Sequence, residues 1–397
     1  MSEPRAGEAV AATAAQGGGR LQSLQSLQML RAVAALLVVL FHTEAIFEQR
    51  TDLQVFGNWF SHGSHGVDLF FVLSGFVITY VHRRDWGHPR RLGNYLFNRI
   101  SRIYPAACVM SVLALALYVL GPRFGISAGM RDPGQSGKLG VWSIVASIML
   151  LPQQGTALVN VTWTLKHEMV FYLIFAMLIL ERRLIVLLFI WQAIVLALVW
   201  DGVDFDGQWI RFYLSPMSLE FGLGMACAWL VMHRQQVPAL ARRTLPTLGL
   251  LLGVALSVGY SVLDGRWTGL PAVPDFLIYG GSGALIVTSL ALLEMSGRLP
   301  SSAILLHLGN ASYAIYLVHF SVIMLLSGIL QRLKFVPMNN ITFIAVAACG
   351  VLAGLAFHHF VDQPLQRLLR RAKPRLLGFD PRGRRLQPSD LPSRAAQ

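Results

Sequence analysis

Arg31 and His42 lie eleven residues apart in an otherwise apolar run, Leu30-Arg31-Ala32-Val33-Ala34-Ala35-Leu36-Leu37-Val38-Val39-Leu40-Phe41-His42. Eleven residues are close to three helical turns. A helix here carries both groups on nearly one face, roughly 16 Å apart along its axis, about half a hydrocarbon layer. An ionisable group inside a bilayer is costly, so it faces the bundle interior or a water-filled cavity and marks a reaction or transport path. From this stretch alone two readings stay open. Either guanidinium and imidazole serve chemistry, or Arg31 snorkels to one surface and His42 ends at the opposite interface.

Further polar residues interrupt the later apolar runs. Asp68 stands near the start of Gly66-Val67-Asp68-Leu69-Phe70-Phe71-Val72-Leu73-Ser74-Gly75-Phe76. Entering from the side where His42 ends, it is expected at a similar depth, where a carboxylate can orient an imidazole. Capping its own helix is the plainer role, and Ser74 and Gly75 suit close helix packing. Arg99 and Arg102, three apart, share a helix face where paired guanidinium groups suit a phosphate-bearing ligand. They equally suit an anchor at the basic surface. Glu168 and Tyr172, four apart, follow Trp163; a carboxylate beside a phenol could assist a histidine or hold a sugar hydroxyl. Glu220 falls near the middle of a run and needs a partner or a proton there. Tyr313, Tyr316 and His319 continue a polar stripe from Ser312. Trp163, Tyr172, Glu220, Tyr313, Tyr316 and His319 are the candidates for holding an acceptor.

These residues need a scaffold, and composition says which. Of 397 residues 54% are hydrophobic and 13% charged, with mean hydropathy +0.54. Soluble domains carry about a quarter charged residues, so this is an all-α polytopic membrane bundle, with no polar stretch long enough for a soluble catalytic domain. The net charge of +13 comes from short basic runs between apolar segments, which speaks for loops at one membrane face and against nucleic acid as a partner. Cys108, Cys227 and Cys349 sit in apolar segments without CxxC spacing, so neither a disulfide framework nor a metal cluster is expected. No Walker loop, GxGxxG after a strand, HExxH or GxSxG is present.

Apolar segments fall at about 29–47, 66–82, 103–120, 141–151, 164–180, 184–200, 209–232, 246–263, 275–295, 303–330 and 341–361. The fourth is too short to span and reads as re-entrant or interfacial. Without it, the arginines of 83–102, 182–183, 234–243 and the C-terminal region fall on one side, while Asp201, Asp204 and Asp206 fall on the other. The positive-inside rule then gives about ten spans in the inner (plasma) membrane, with both termini cytoplasmic; Arg332 and Lys334 run against it. Residues 1–20 read as a disordered tail, 21–364 as the membrane domain with a short amphipathic lead-in, and 365–397 as a basic tail. The first span reads as an uncleaved anchor. The connection 121–163 is expected to fold back over the outer face. Nothing in the sequence specifies an oligomeric state.

Taken together, the chain resembles the acyltransferase 3 family from about Leu24 to Pro364. The resemblance is carried by Leu27-Gln28-Met29-Leu30-Arg31-Ala32 with His42, by Gly66 to Phe76, and by Arg99-Ile100-Ser101-Arg102-Ile103-Tyr104-Pro105. Trp163-Thr164-Leu165 with Glu168 and Phe171-Tyr172, Glu220-Phe221 with Gly224, and Ser312-Tyr313 with Tyr316-Leu317 and His319 complete it in the same order. Where the family often ends its last span with Glu-x-Pro, this chain has Asp362-Gln363-Pro364. The resemblance implies acyl-CoA, most often acetyl-CoA, as a co-substrate bound from the cytoplasm. It implies that Arg31 and His42 are the pair needed for activity, and that Arg99 and Arg102 help bind the donor. With no hydrolase-like segment after the last span, the chain is similar to stand-alone exopolysaccharide O-acetyltransferases.

The expected mechanism has His42 as general base on a glycan hydroxyl, with Asp68 or Glu168 orienting its ring. Arg31 grips the donor or stabilises developing charge. A covalent acyl-histidine stays open as a variant. The alternative is a transporter or flippase of glycans or lipid-linked sugars without acyl-transfer chemistry, against which the lack of two related halves with broken helices counts.

Overall fold

A computed structural model describes residues 24–51, 55–120, 140–153, 157–203, 208–263, 274–333 and 337–376. Among these residues the regular structure is entirely helical. In chain order the helices are α1 (Gln25–Thr51), α2 (Gly66–His82), α3 (Leu92–Leu120), α4 (Val141–Ile148) and α5 (Thr162–Leu180). Then come α6 (Ile185–Trp200), α7 (Gln208–Tyr213), α8 (Met217–Met232), α9 (Ala239–Leu263) and α10 (Gly281–Met295). Last are α11 (Ala303–Leu333), α12 (Asn340–Phe357) and α13 (Gln363–Leu376). Nine helical stretches among the described residues are long and apolar enough to cross a membrane, and α8 is a shorter apolar helix. The expected segment 209–232 is broken at Leu214-Ser215-Pro216, because a residue before proline is pushed out of helical geometry.

Contacts near their ends set the helix directions. Gln28 meets Asn310 at 3.0 Å at one end of α1, and Arg50 meets Gln331 at 3.0 Å at the other, so α1 and α11 run parallel. The backbone N–H groups of Gln25 and Ser26 donate to Glu294 at the end of α10. Gly87 N–H donates to Leu178 O at 3.0 Å, Arg298 reaches Arg243 O at 2.9 Å, and Lys373 reaches Asn98 at 2.6 Å. These contacts gather the arginine-rich connections after α2, α5, α8 and α10, together with α13, at one end of the bundle. Arg50 and Arg332 lie at the other. Lys334 and the disordered tail expected over 1–20 lie outside the described residues.

The short segment 141–151 does not cross. Its helix α4, eight residues long, lies against α3, where Tyr104 OH donates to Met149 O at 2.9 Å. This fits a re-entrant piece; residues 121–139 of the same connection lie outside the described residues. The expected basic tail begins as the amphipathic helix α13, and 377–397 are not described.

Two sequence features acquire packing roles. Pro105 has no N–H to give to Ser101 O four residues back. That carbonyl instead accepts from Gln366 of α13 at 2.7 Å, while Ile103 O accepts from Tyr313 at 2.7 Å. Gly75 and Gly224 bring α2 and α8 into backbone contact: a Cβ on Gly75 would lie 2.0 Å from Phe221 O, and one on Gly224 2.0 Å from Val72 O. Small residues at such crossings allow dispersion contacts that side chains would block. Gly75→Ala therefore destabilises the protein by about 1–3 kcal/mol, measured as a lower thermal midpoint in detergent. Gly281→Ala, whose Cβ would meet open space, leaves the midpoint unchanged or raises it.

Candidate active site

Helix α1 carries Arg31 and His42 past two partners on α11. Arg31 Nε donates to Ser312 Oγ at 3.2 Å, and His42 Nδ1 lies 3.1 Å from His319 Nε2. The parallel helices thus match both ionisable positions with polar ones, within a core that includes Ala35, Val39, Ala311 and Ile315.

His319 is fully buried, and its Nδ1 lies 3.0 Å from Ile315 O. A carbonyl only accepts, so Nδ1 carries the proton and Nε2 the lone pair. His42 must then donate from Nδ1, which also lies 3.0 Å from Val38 O. That tautomer leaves the lone pair of His42 on Nε2. Phe41 and Phe320 pack edge-on against the imidazole at 5.0 and 5.1 Å between centroids. His42, Glu48, Gln49, Asn160 and Phe320 line a cavity of about 530 Å³ on the side away from the basic end.

Arg31 opens into a second cavity, of about 50 Å³, shared with Phe70, Ser74, Glu168, Tyr313 and Tyr316. Glu168 accepts from Ser74 Oγ at 3.2 Å and from Tyr172 OH in a short hydrogen bond. Arg99, Arg102, Glu168 and Tyr172 act electrostatically on Arg31. Arg99 and Arg102 thus stand close enough to add positive charge around Arg31 and Glu168, which suits an anionic ligand. Tyr316 forms part of this cavity's wall and its ring lies 5.7 Å from His319, so it stands between the Arg31 cavity and the histidine pair. Its hydroxyl is held by Thr164 at 2.9 Å and Val161 O at 3.2 Å.

Several expectations change. Asp68 does not orient His42. Gly66 meets the Ala34 carbonyl and Val38, which places the start of α2 one to two turns nearer the basic end than His42. Asp68 also shares the face of Gly75, two turns on, and that face packs on α8. Its carboxylate binds His65 Nδ1 at 2.5 Å and stands near Glu220. Glu220 is fully buried, with the Asp68 carboxyl as its polar neighbour. It lines neither cavity. Glu168 is engaged with Ser74 and Tyr172 instead of His42. Trp163 is 42% exposed and packs edge-on against His167. One residue further round the helix, Thr164 faces inward, so Trp163 points away from both cavities.

Arg99 is also not a surface anchor. Arg99 is 9% exposed and its guanidinium carbon lies 5.8 and 5.4 Å from the Tyr95 and Tyr172 rings. Its Nη2 donates to His82 Nε2 at 2.8 Å, while His82 Nδ1 donates to Asp85 at 2.8 Å. His82 and Asp85 had not been singled out, although their i, i+3 spacing at a helix end was a usable signal. Glu48 and Gln49 could have been found six and seven residues, about two turns, beyond His42 on its own helix. Asn160 is adjacent only through the fold.

The family profile for an acyltransferase domain, Acyl_transf_3, matches residues 24–359. Exopolysaccharide production protein ExoZ of Rhizobium meliloti (strain 1021) is 31% identical over 333 residues, covering 80% of this chain and 93% of the relative. Acyltransferase MdmB of Streptomyces mycarofaciens is 28% identical, covering 80% and 85%. Peptidoglycan O-acetyltransferase OatA of Listeria monocytogenes serovar 1/2a is 24% identical, covering 85% of this chain but 55% of the relative. No solved structure matches the chain. A helical bundle of membrane-crossing length, built over these residues and matched to that profile along most of its sequence, belongs to the acyltransferase 3 family and is a multi-pass membrane acyltransferase.

Proposed function

We propose that the protein moves an acyl group, most readily acetyl, from acyl-CoA to a hydroxyl of an exported or cell-surface polysaccharide. The basic end faces the cytoplasm of the inner (plasma) membrane and holds both termini. One observation carries this reading. The same two parallel helices hold an imidazole pair beside one cavity and, nearer the basic end, the Arg31 guanidinium in a second cavity, where Arg99 and Arg102 of α3 add positive charge. The names of ExoZ and OatA support a glycan acceptor and an acetyl group.

In the proposed reaction Arg31, Arg99 and Arg102 hold the phosphates or thioester end of acyl-CoA, which enters from the basic end. The acceptor hydroxyl enters the cavity beside His42. His42 Nε2 takes the hydroxyl proton as the oxygen attacks the thioester carbonyl. The C–S bond breaks, and the thiolate leaves with the proton returned by His42. His319 keeps His42 in the Nδ1–H tautomer, a role the sequence reading gave to a carboxylate. Ser312 and Glu168 position Arg31 and Tyr172, and Tyr316 stands where the donor arm passes.

The test is acyl transfer from labelled acetyl-CoA to a glycan by detergent-solubilised protein, a setting in which a transporter has no compartments to connect. His42→Ala lowers kcat by about 10²–10⁴-fold; a variant that folds and keeps full activity overturns the assignment. His319→Phe lowers kcat by less and leaves KM for the donor unchanged. Arg102→Gln raises KM for acetyl-CoA, as expected for the loss of a charged hydrogen bond of about 1.5–3 kcal/mol, with a smaller change in kcat.

A further inference from the structure

A second ligand site lies outside this machinery. Helices α8 and α9 both pack on α10 but scarcely on each other. The turn Arg234–Gln236 and the following Val237-Pro238 splay them apart, leaving a groove of about 1360 Å³. That exceeds the roughly 300–1,000 Å³ of pockets for drug-sized ligands. Its walls along the membrane are apolar, including Leu223, Leu230, Leu248, Leu252 and Leu285, and small residues such as Gly281 and Ala284 form its floor. Its basic-end rim is different: Arg234, Arg242, Arg243 and Arg298 line it together.

None of these four arginines has an ion-pair partner among the described residues. Three of them are held by neutral acceptors. Arg298 donates to Arg243 O at 2.9 Å, Arg242 to Gln235 at 2.7 Å, and Arg234 to Val231 O at 3.4 Å. The nearby carboxylate, Glu294, is occupied by the N–H groups of Gln25 and Ser26. A cleft with hydrocarbon walls and an unneutralised cationic rim at the membrane surface fits one class of occupant. We propose that it binds one anionic phospholipid from the leaflet at the basic end, with the phosphate among the arginines and the acyl chains between α8 and α9. Basic pockets between membrane helices take such headgroups for this reason. The bound lipid fills the space between the peripheral helix α9 and the core. This inference is independent of the acyl-transfer reading.

Native mass spectrometry of the full chain, titrated in detergent with phosphatidylglycerol or phosphatidylcholine, tests it. One phosphatidylglycerol binds, at least tenfold more tightly than phosphatidylcholine. R242Q/R243Q weakens it roughly thirty-fold, at about 1 kcal/mol per arginine. Gly281→Leu, which projects a side chain into the open floor without changing charge, removes it. R182Q/R183Q, two exposed arginines outside the groove, leaves it unchanged. Equal binding of the two lipids, equal weakening by R182Q/R183Q, undiminished binding in Gly281→Leu, or displacement of the lipid by CoA would each overturn the proposal.

Discussion

Pairing of ionisable groups across α1 and α11 is the constraint on which the rest of the arrangement depends. Neither Arg31 nor a histidine pair is tolerable against lipid. Each finds a partner on the parallel helix at a matching height, Ser312 for the guanidinium and His319 for the imidazole. The two helices are thereby held in one register, because a shift of one turn would break both contacts at once. The other helices complete the enclosure. The chain from Gly63 to Gly66 meets α1 at the backbone, α2 meets α8 through Gly75 and Gly224, and α3 delivers the Ile103 carbonyl to Tyr313.

This register separates two kinds of chemistry along the membrane normal. Positive charge is concentrated toward the basic end around Glu168 and Tyr172, and the basic nitrogen lies beyond Tyr316, next to a cavity on the far side. In the proposed reaction, donor and acceptor then approach from opposite directions and meet inside the protein. The side chains between the two cavities are aromatic and hydrogen-bonded, with the Tyr316 hydroxyl tied to Thr164 and Val161.

The polar residues outside this path show how far spacing alone reaches. Asp68 and Gly75 sit on one face, as their seven-residue separation requires, and that same fact turns Asp68 toward α8 and His65 instead of His42. Trp163 is one position from Thr164, and a helix turns by about 100° per residue, enough to take it from cavity wall to periphery. Arg99 shares a face with Arg102 as read, but His82 and Asp85 draw it into the bundle. Pro105 is visible in the sequence as a missing donor; that Gln366, 265 positions away, satisfies the released carbonyl is not.

Local properties settled what they govern. Hydrocarbon-length apolar runs specify helices, short basic runs collect at one end, and the depth of each polar residue along its own helix follows from a constant rise per residue. The class of the protein and the short non-crossing segment were therefore legible from the chain alone. Rotation of each helix about its axis, and the choice of neighbour, depend on side chains hundreds of residues apart meeting in three dimensions. Only the assembled bundle decided that His319 and not a carboxylate faces His42, and that three arginines share one region, since those pairings arise from interhelical packing and leave no periodic trace in any single segment.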